Sequence, residues 1–259
     1  SEDLSEMRST LWPGLIKSLV YNQNRQQARI RLFETGSRFI YDHHAGSSEL
    51  QQQAVISAIA TGSVSSEQWA IREQEIDFFD MKADVEALLA LGAASDSYHF
   101  SSEKHPALHP GQSARIYRDQ EAVGWLGTIH PNIAKQLQIK NRVIVFELEI
   151  GLISKANVPE FKTLSKFPAI RRDIAIIVEN YLESSEIIST IRDCSGKNLI
   201  GVLLFDVYTG SGIENNKKSL AIGITLQDKD KTMLDDDVDQ VINSILSKLK
   251  EKYNAKLRD

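Results

Sequence analysis

The stretch SKFPAIRRDIAIIVEN (residues 165–180) decides the fold of the second half of the chain. From Ile174 onward its apolar residues recur at every second position, which is the period of a β-strand with a buried face. The cations that precede or open this strand are Lys166, Arg171 and Arg172. A cationic cluster beside a strand that opens a longer alternation of strands and helices indicates a module that faces RNA.

Beyond this strand the chain continues with the pattern of a helix, two strands, a helix and a strand. The predicted elements are a helix over 184–196, strands over 199–208 and 219–227, a helix that begins at 235–237 and a short strand in the final AKLRD. Ser184 is the predicted N-cap of the first helix, and Gly196 is its stop. This is the βαββαβ order of a ferredoxin-like domain, in which two helices cover one face of a four-stranded antiparallel sheet and leave the other face open.

The open face is where a ligand or partner would bind. Its third strand carries the small residues Ala221, Gly223 and Thr225, which permit close approach by a ligand and equally by a neighbouring domain. Phe205 and Tyr208 have opposite parity along the second strand, so a regular strand would point them to opposite faces. The spacing therefore predicts no paired aromatic platform for bases, and RNA binding does not follow from this pattern alone.

The first half of the chain indicates a separate, mainly antiparallel sheet with helices. Its predicted elements are a turn and helix within 7–25, a strand over 31–40 interrupted at Gly36, an apolar strand over 54–62, an amphipathic helix over 77–92, strands on either side of 119–120, a short helix from Pro131 and a strand over 142–150. Strands outnumber helices and are mostly joined by short turns. We therefore predict an α+β fold with a first domain over 1–153, a linker over 154–164 and a second domain over 165–259.

Composition limits the classes of function. The net charge is −5 for the chain and −1 for residues 165–259, so nucleic-acid contact must come from local clusters, which include Lys217 and Lys218. The single cysteine, Cys194, excludes an internal disulfide and fits a reducing cytosol. No apolar run approaches the roughly 20 residues that span a bilayer. We expect a cytoplasmic protein without a membrane partner.

Catalytic motifs are missing from the first half. His105 and His109 are four residues apart, but the proline after each argues against the helix that would align them on a metal. Glu147 and Glu149 alternate on one strand face without a partner base, which is typical of surface or interface carboxylates. Phosphate-binding loops and a nucleophile elbow are also absent. We expect this half to be non-catalytic and to bind no metal.

Several strings resemble one known family. In the first half, MRSTLWPGL, YNQNR, RLFETGSRF, LHPGQSARIY and LGTIHP resemble the catalytic-like domain of the β subunit of bacterial phenylalanyl-tRNA synthetase. In the second half, SKFPAIRRD, LFDVYTGSGI and KKSLAIGITLQDKDKTMLDDDV resemble its ferredoxin-fold anticodon-binding domain. The resemblance covers nearly the whole chain and corresponds to the C-terminal portion of that subunit.

The resemblance implies a degenerate class II synthetase-like sheet in the first domain, which serves as an interface to an α subunit in an (αβ)2 assembly. The α subunit would hold the ATP and phenylalanine site, so ATP and Mg²⁺ are implied for the whole enzyme and no cofactor for this chain. A class II site needs a strand arginine for the α-phosphate, and the corresponding segment LGTIHPNIAKQL has none. The tRNA-binding, editing and magnesium-associated modules of the family's N-terminal part have no counterpart in these strings, so the chain looks like a fragment.

Two sets of site residues follow from the pattern and the resemblance. The predicted tRNA-binding residues are Lys166, Arg171, Arg172, Tyr208, Lys217 and Lys218. The predicted subunit-interface residues are Leu11, Trp12, Leu15 and Phe33, which could equally fill the core of their own domain. The cations lie at or before the starts of the first and third strands, so antiparallel pairing would place two clusters at opposite ends of the sheet, flanking an RNA stem. Alternatively, Arg172 pairs with Asp173 or with a helix acid, and the two lysines belong to a solvated loop.

Two other functions stay open. The βαββαβ domain could be a regulatory amino-acid-binding domain that dimerises through its sheet. Such a domain is expected to carry a glycine-rich ligand loop after the first strand, where this chain has Asn-Tyr-Leu-Glu at 180–183. A hydrolase built on His105, His109 and a carboxylate would lack a third ligand at usable spacing.

Overall fold

The computed structural model of the chain describes residues 6–41, 50–159, 161 and 163–258. The chain separates into two units, Ser1–Glu160 and Phe161–Asp259, and each unit has its own sheet and its own buried apolar residues. Among the described residues, no helix is long and apolar enough to cross a membrane. Each unit therefore has what a separately folded domain requires.

The first unit is built on a six-stranded sheet in which all neighbouring strands are antiparallel. Its elements are α1 (Trp12–Gln23), β1 (Ile30–Tyr41), β2 (Leu50–Thr61), α2 (Phe78–Ala90), β3 (Tyr98–Ser102), β4 (Leu108–Arg118), β5 (Glu121–Ile129), α3 (Pro131–Gln136), β6 (Val143–Glu149) and α4 (Ile150–Ile153). The strand order is β1-β2-β6-β5-β4-β3. The antiparallel sheet that the sequence predicts is confirmed.

The two long helices of this unit pack on opposite faces of the sheet. Pro13 lies in the first turn of α1, where a backbone N–H would have no acceptor within the helix, so the N–H that proline lacks is not needed. Asp77 caps α2 by accepting from the N–H groups of Phe79 and Asp80, and the Asp80 carboxylate accepts from the N–H of Asp77 in return. The buried residues of the helices are Trp12, Leu15 and Leu19 in α1 and Met81, Val85 and Leu89 in α2.

The first strand is not interrupted at Gly36, so that expectation is wrong. Gly36 pairs with Val55 within an unbroken register from Ile30 to Tyr41. A side chain at Gly36 would meet the guanidinium of Arg8 and would lie 3.6 Å from Leu11 Cδ2. The glycine marks the place where the N-terminal segment crosses the sheet at close approach.

The second unit is a four-stranded antiparallel sheet covered on one face by two helices. Its elements are β7 (Ile170–Glu179), α5 (Ser184–Ser195), β8 (Leu199–Tyr208), β9 (Lys217–Leu226), α6 (Asp235–Tyr253) and β10 (Lys256–Leu257). The strand order β10-β7-β9-β8 places the first and third strands at the centre. This confirms the ferredoxin-like βαββαβ prediction. The N-cap position of α5 is Glu183, one residue before the expected Ser184, and its side chain makes no capping hydrogen bond.

Strict alternation along the central strands separates a buried face from an open one. On β9, Leu220, Ile222, Ile224 and Leu226 are almost fully buried with the apolar residues of α5 and α6. Burial of each such side chain contributes about 1.5–3 kcal/mol relative to exposure. The intervening residues of β9 point to the other face, where no helix from the described residues of this unit packs. The open face is therefore a consequence of the alternation on β7 and β9.

Candidate nucleic-acid interface

A β-bulge brings two aromatic side chains to the open face of the second unit. The pairing with β9 passes from Leu204 to Asp206 while β9 advances by one residue, so Phe205 is the extra residue. Beyond the bulge the alternation of β8 is shifted by one residue, and Tyr208 comes to the same face as Phe205. The prediction that parity separates these two side chains is wrong, because a bulge resets the parity of the strand.

Each of the two rings has a guanidinium over it. The guanidinium carbon of Arg171 is 5.3 Å from the ring centroid of Phe205, and that of Arg258 is 4.9 Å from the ring centroid of Tyr208. Gly223, between Arg171 and Phe205, makes the first pair possible, because a Cβ there would lie 2.7 Å from the Arg171 guanidinium. The open face therefore presents two aromatic–cation pairs on a floor of small residues.

A carboxylate lies in the bulge between these pairs. Asp206 is exposed and pairs in the sheet with Ala221, whose small side chain leaves space beside it. It makes no hydrogen bond or ion pair with the residues that the structure describes. An ionised carboxylate can accept two hydrogen bonds side by side, which suits the amino and imino N–H groups at the edge of a nucleobase.

The alternation of the strands divides the predicted cations between the two faces. Arg171 and Lys217 point to the open face, whereas Arg172 and Lys218 point to the helix-covered face. There Arg172 Nη2 donates to Asp235 Oδ1 at 2.6 Å, as the helix-acid alternative predicted. Lys218 Nζ donates to a backbone carbonyl at 3.0 Å, and partial burial lowers the pKa of this lysine. Only one cation of each predicted pair is placed to meet a ligand on the open face.

The two cations on the open face lie at opposite ends of the sheet, as predicted. Arg171 pairs with one end of β9, and Lys217 begins the other. Arg171 Nε donates to Asp173 at 2.7 Å, and Lys217 Nζ donates to Glu214 at 2.7 Å, which raises the pKa of Lys217. Lys166 is exposed in the segment that leads into β7, at the end that carries Arg171.

Sequence reasoning missed three residues of this face, namely Phe205, Asp206 and Arg258. The sequence offered one signal for this face, an apolar run along the second strand of the unit. The structure places this strand at the edge of the sheet and leaves four of its apolar residues exposed, namely Ile200, Leu203, Phe205 and Val207. Such a run on an edge strand indicates a binding surface or a partner. The bulge itself has no sequence signature here, since no glycine lies at its position.

In the first unit, the two carboxylates that the sequence assigned to the surface or to an interface belong to an ionic network that is largely covered. Glu147 is only 3% exposed. Its Oε1 accepts from Arg38 Nη1 at 3.0 Å, and its Oε2 accepts from the Thr10 hydroxyl at 2.9 Å and from the N–H of Leu11 at 2.8 Å. Arg38 also lies 3.6 Å from Glu149. The surface interpretation is wrong for Glu147, because the N-terminal segment crosses the strand and covers it.

The two histidines considered for a metal site are used in local structure. His105 lies between the rings of Trp12 and Trp125, at centroid distances of 5.1 and 4.9 Å. Burial, with the nearby Arg115 guanidinium, lowers the pKa of His105. The Nδ1 atoms of His105 and His109 each accept a backbone N–H within their own turn. No group of three metal-ligating side chains occurs in the described part of the chain.

The predicted interface residues divide into buried and exposed ones. Leu11, Trp12 and Leu15 are at most 5% exposed and lie inside their own unit, where Trp12 Nε1 also donates to the carbonyl of Phe146 at 3.3 Å. Phe33, on the edge strand β1, is 74% exposed. The interface assignment stays a prediction. For the three buried residues it now requires that they act by shaping the surface above them.

Such a surface exists between α1 and α3. An apolar groove of about 480 Å³ runs there. Its walls include Trp12, Pro13, Ile16, Val20, Ile133 and Leu137. The buried face of Trp12 thus belongs to the core, while another part of the same ring forms the wall of a groove that is open to a partner.

Comparison with known proteins agrees with this geometry. Residues 1–150 match the family model described as "Phenylalanyl tRNA synthetase beta chain CLM domain", and residues 165–258 match "Ferredoxin-fold anticodon binding domain". The phenylalanine–tRNA ligase beta subunit of Pseudomonas putida is 47% identical over 258 residues, and that of Pasteurella multocida is 44% identical over 259. Both alignments cover 100% of this chain but 32% of the relative, so the chain spans about a third of their length.

Among solved structures, the pyrrolysyl-tRNA synthetase of Desulfitobacterium hafniense covers 56% of this chain and 48% of its own at 11% identity. The TM-score is 0.40, and a likeness this weak carries no argument. The family model for the beta chain covers more than half of the present sequence. The chain therefore belongs to the phenylalanyl-tRNA synthetase beta chain family.

Proposed function

We propose that this chain is the tRNA-binding and subunit-docking part of a phenylalanine–tRNA ligase, which attaches phenylalanine to its tRNA with ATP. The observation that carries the tRNA-binding part is the open face of the second unit, where two aromatic–guanidinium pairs flank Asp206. The match of residues 165–258 to an anticodon-binding domain supports it. In this proposal residues 1–153 dock to the partner subunit and residues 165–259 bind the anticodon region.

The open face is suited to unpaired bases. Bases stack on exposed aromatic rings without regard to sequence, and each stacked base contributes about 1–3 kcal/mol. Phe205 and Tyr208 are the two stacking positions on this face. Asp206 then selects a base whose edge offers an amino or imino N–H group, since a carboxylate accepts and does not donate. Stacking and edge recognition together would read a single-stranded loop of the tRNA.

The cations of this face contact the RNA backbone in the proposal. Arg171 and Lys217 each exchange an exposed carboxylate partner for a phosphate, a small loss because solvent-exposed ion pairs contribute little to stability. Lys166 adds a charge at the Arg171 end. Because these cations lie at opposite ends of the sheet, they hold the two flanks of one loop instead of forming one patch.

Docking of the first unit is proposed at the groove between α1 and α3. Its walls are almost wholly apolar, and its volume suits a few side chains of a partner helix or loop. Phe33 offers a second exposed apolar contact on the edge strand. The partner in this proposal is the α subunit of the ligase, in an (αβ)2 assembly located in the cytoplasm.

The first unit is proposed to be a degenerate class II synthetase-like domain without catalysis. A site for ATP needs free cations for its phosphates, and Arg38 on β1 does not fit this role. Arg38 is neutralised by Glu147 and approached by Glu149, and both carboxylates would repel a phosphate. ATP and Mg²⁺ are therefore assigned to the α subunit. The isolated chain should catalyse no phenylalanine-dependent exchange of pyrophosphate into ATP.

The experiment that tests tRNA binding is a comparison of two double variants in the full α/β assembly. Phe205→Ala with Tyr208→Ala removes both stacking rings, and we expect tRNA affinity to fall by about tenfold or more. Arg172→Gln with Lys218→Gln is the matched control on the helix-covered face and should retain wild-type affinity. Equal affinity for the first variant and the wild type would overturn the proposal. If the first variant instead loses dimerisation of the chain and keeps its tRNA affinity, the result would favour the alternative of an amino-acid-binding regulatory domain that dimerises through its sheet.

A further inference from the structure

The segment between β2 and α2, residues 62–76, presents a tryptophan entirely to solvent. Trp69 is 99% exposed, and Ile71 nearby is 53% exposed. A tryptophan side chain buries roughly 150–250 Å² when it is covered, so covering this exposed indole would add a large hydrophobic contribution to a binding free energy. Tryptophan is also enriched among the residues that dominate binding energy at interfaces.

The base of this segment is held firmly although its tip is exposed. Val64 N donates to the carbonyl of Gln74 at 2.8 Å, and Ile76 N donates to the carbonyl of Gly62 at 2.9 Å. Ile76 is buried, and Arg29 donates two hydrogen bonds of 3.1 Å to carbonyls on the first arm of the base. The tip that carries Trp69 is thus displayed from a fixed position, which lowers the entropy lost on binding.

The charge of the segment distinguishes the kinds of partner. Residues 63–76 contain Glu67, Glu73 and Glu75 but only one cation, Arg72, for a net charge of −2. This charge repels the phosphates of RNA. It complements a protein surface that carries Lys or Arg around an apolar depression, where an indole can be buried and the glutamates remain at the rim.

We propose that Trp69 is an anchor that inserts into an apolar pocket with a basic rim on a partner protein chain. The inference rests on the proposed role of the chain as a subunit. The experiments that test it use the α subunit as the partner. It adds a contact separate from the groove between α1 and α3.

Acrylamide quenching of tryptophan fluorescence measures the accessibility of this residue directly. Trp12 is buried and Trp125 is partly buried, so most of the quenchable emission of the chain belongs to Trp69. We expect strong quenching in the chain alone and protection after α is added, and Trp69→Phe should abolish both effects. Protection already in the chain alone, continued quenching in the complex, or protection by tRNA instead of α would each overturn the proposal.

Affinity for α provides the second readout. Trp69→Ser should weaken the complex by about tenfold or more, as expected for an interface anchor. Glu67→Lys with Glu73→Lys should weaken it further as a test of the basic rim, and Gln68→Ser is the matched control at the exposed neighbour. If α binds Trp69→Ser as tightly as the wild type while Ile133→Asp in the groove abolishes binding, only the anchor proposal falls. If the wild type itself fails to bind α, both proposals fall.

Discussion

The polar faces of the two sheets use the same residue types in opposite ways. On the first sheet, Arg38 and Glu147 form an ion pair beneath the N-terminal segment, so both charges serve the internal structure of the unit. On the second sheet, Arg171 and Arg258 lie over aromatic rings at the surface, and Asp206 is exposed. The difference teaches that an arginine and a carboxylate on a sheet indicate a ligand site when they are exposed, as Arg171 and its partner Asp173 are, and not when they are covered, as Arg38 and Glu147 are.

Removal of the buried carboxylate is the largest test of this comparison. Glu147→Ala leaves Arg38, which is partly buried, without its closest counter-charge and removes the acceptor of two further hydrogen bonds. Loss of one partner of a buried pair costs about 3–5 kcal/mol. We expect a decrease of that size in the free energy of unfolding of the first unit, measured by urea denaturation. Glu149→Ala is the control and should cost less, and equal stability of Glu147→Ala and wild type would contradict the network.

Removal of the exposed carboxylate should leave stability unchanged and alter recognition. Asp206→Asn replaces one acceptor by a donor, and we expect discrimination against a wrong base to fall by about 1–3 kcal/mol. The measurement is the affinity of the α/β assembly for tRNAs that differ at single anticodon-loop positions. Asp236→Asn, at the exposed start of α6, is the control. If all tRNAs keep their relative affinities with Asp206→Asn, the residue does not read a base.

The salt dependence of tRNA binding separates the two faces of the second sheet. Arg171→Gln should lower the magnitude of the log-log salt slope by roughly 0.7–0.9, because one phosphate contact is lost. Arg172→Gln should leave the slope unchanged, since this side chain faces the helices and pairs with Asp235. The same reduction with both variants would show that the faces do not differ in their use of cations.

The smallest effect concerns pH and the interior of the first unit. Since burial lowers the pKa of His105, the folded state binds its proton less readily than the unfolded chain, whose value is near 6.5. Its contribution to stability is present above that value and is lost as the pH falls through the lower pKa of the folded state. His105→Gln should flatten the dependence of the unfolding free energy on pH in this window. An unchanged profile for His105→Gln would refute a role for its titration.

Sequence patterns were sufficient for the architecture because the signals are local. The alternation at Ile174, Ile176 and Val178 predicted a strand with one buried face, and these residues are buried. The helix predicted over 77–92 is observed as Phe78–Ala90, because its start depends on a capping interaction that acts within one turn. The order of the elements then left a ferredoxin-like arrangement with one open face. The opposite placement of the Arg171 and Lys217 ends also followed from antiparallel pairing alone.

The composition of the sites depended on contacts that only the tertiary structure makes. Phe205 reached the open face through a bulge, and one inserted residue changes the face of every side chain after it. Glu147 became buried because a segment more than a hundred residues away in sequence crosses it. The sequence by itself determined the elements, their order and the family, since these rest on short-range patterns. Which charges are free to meet a ligand was decided by long-range packing, because pairing and burial depend on neighbours that are distant along the chain.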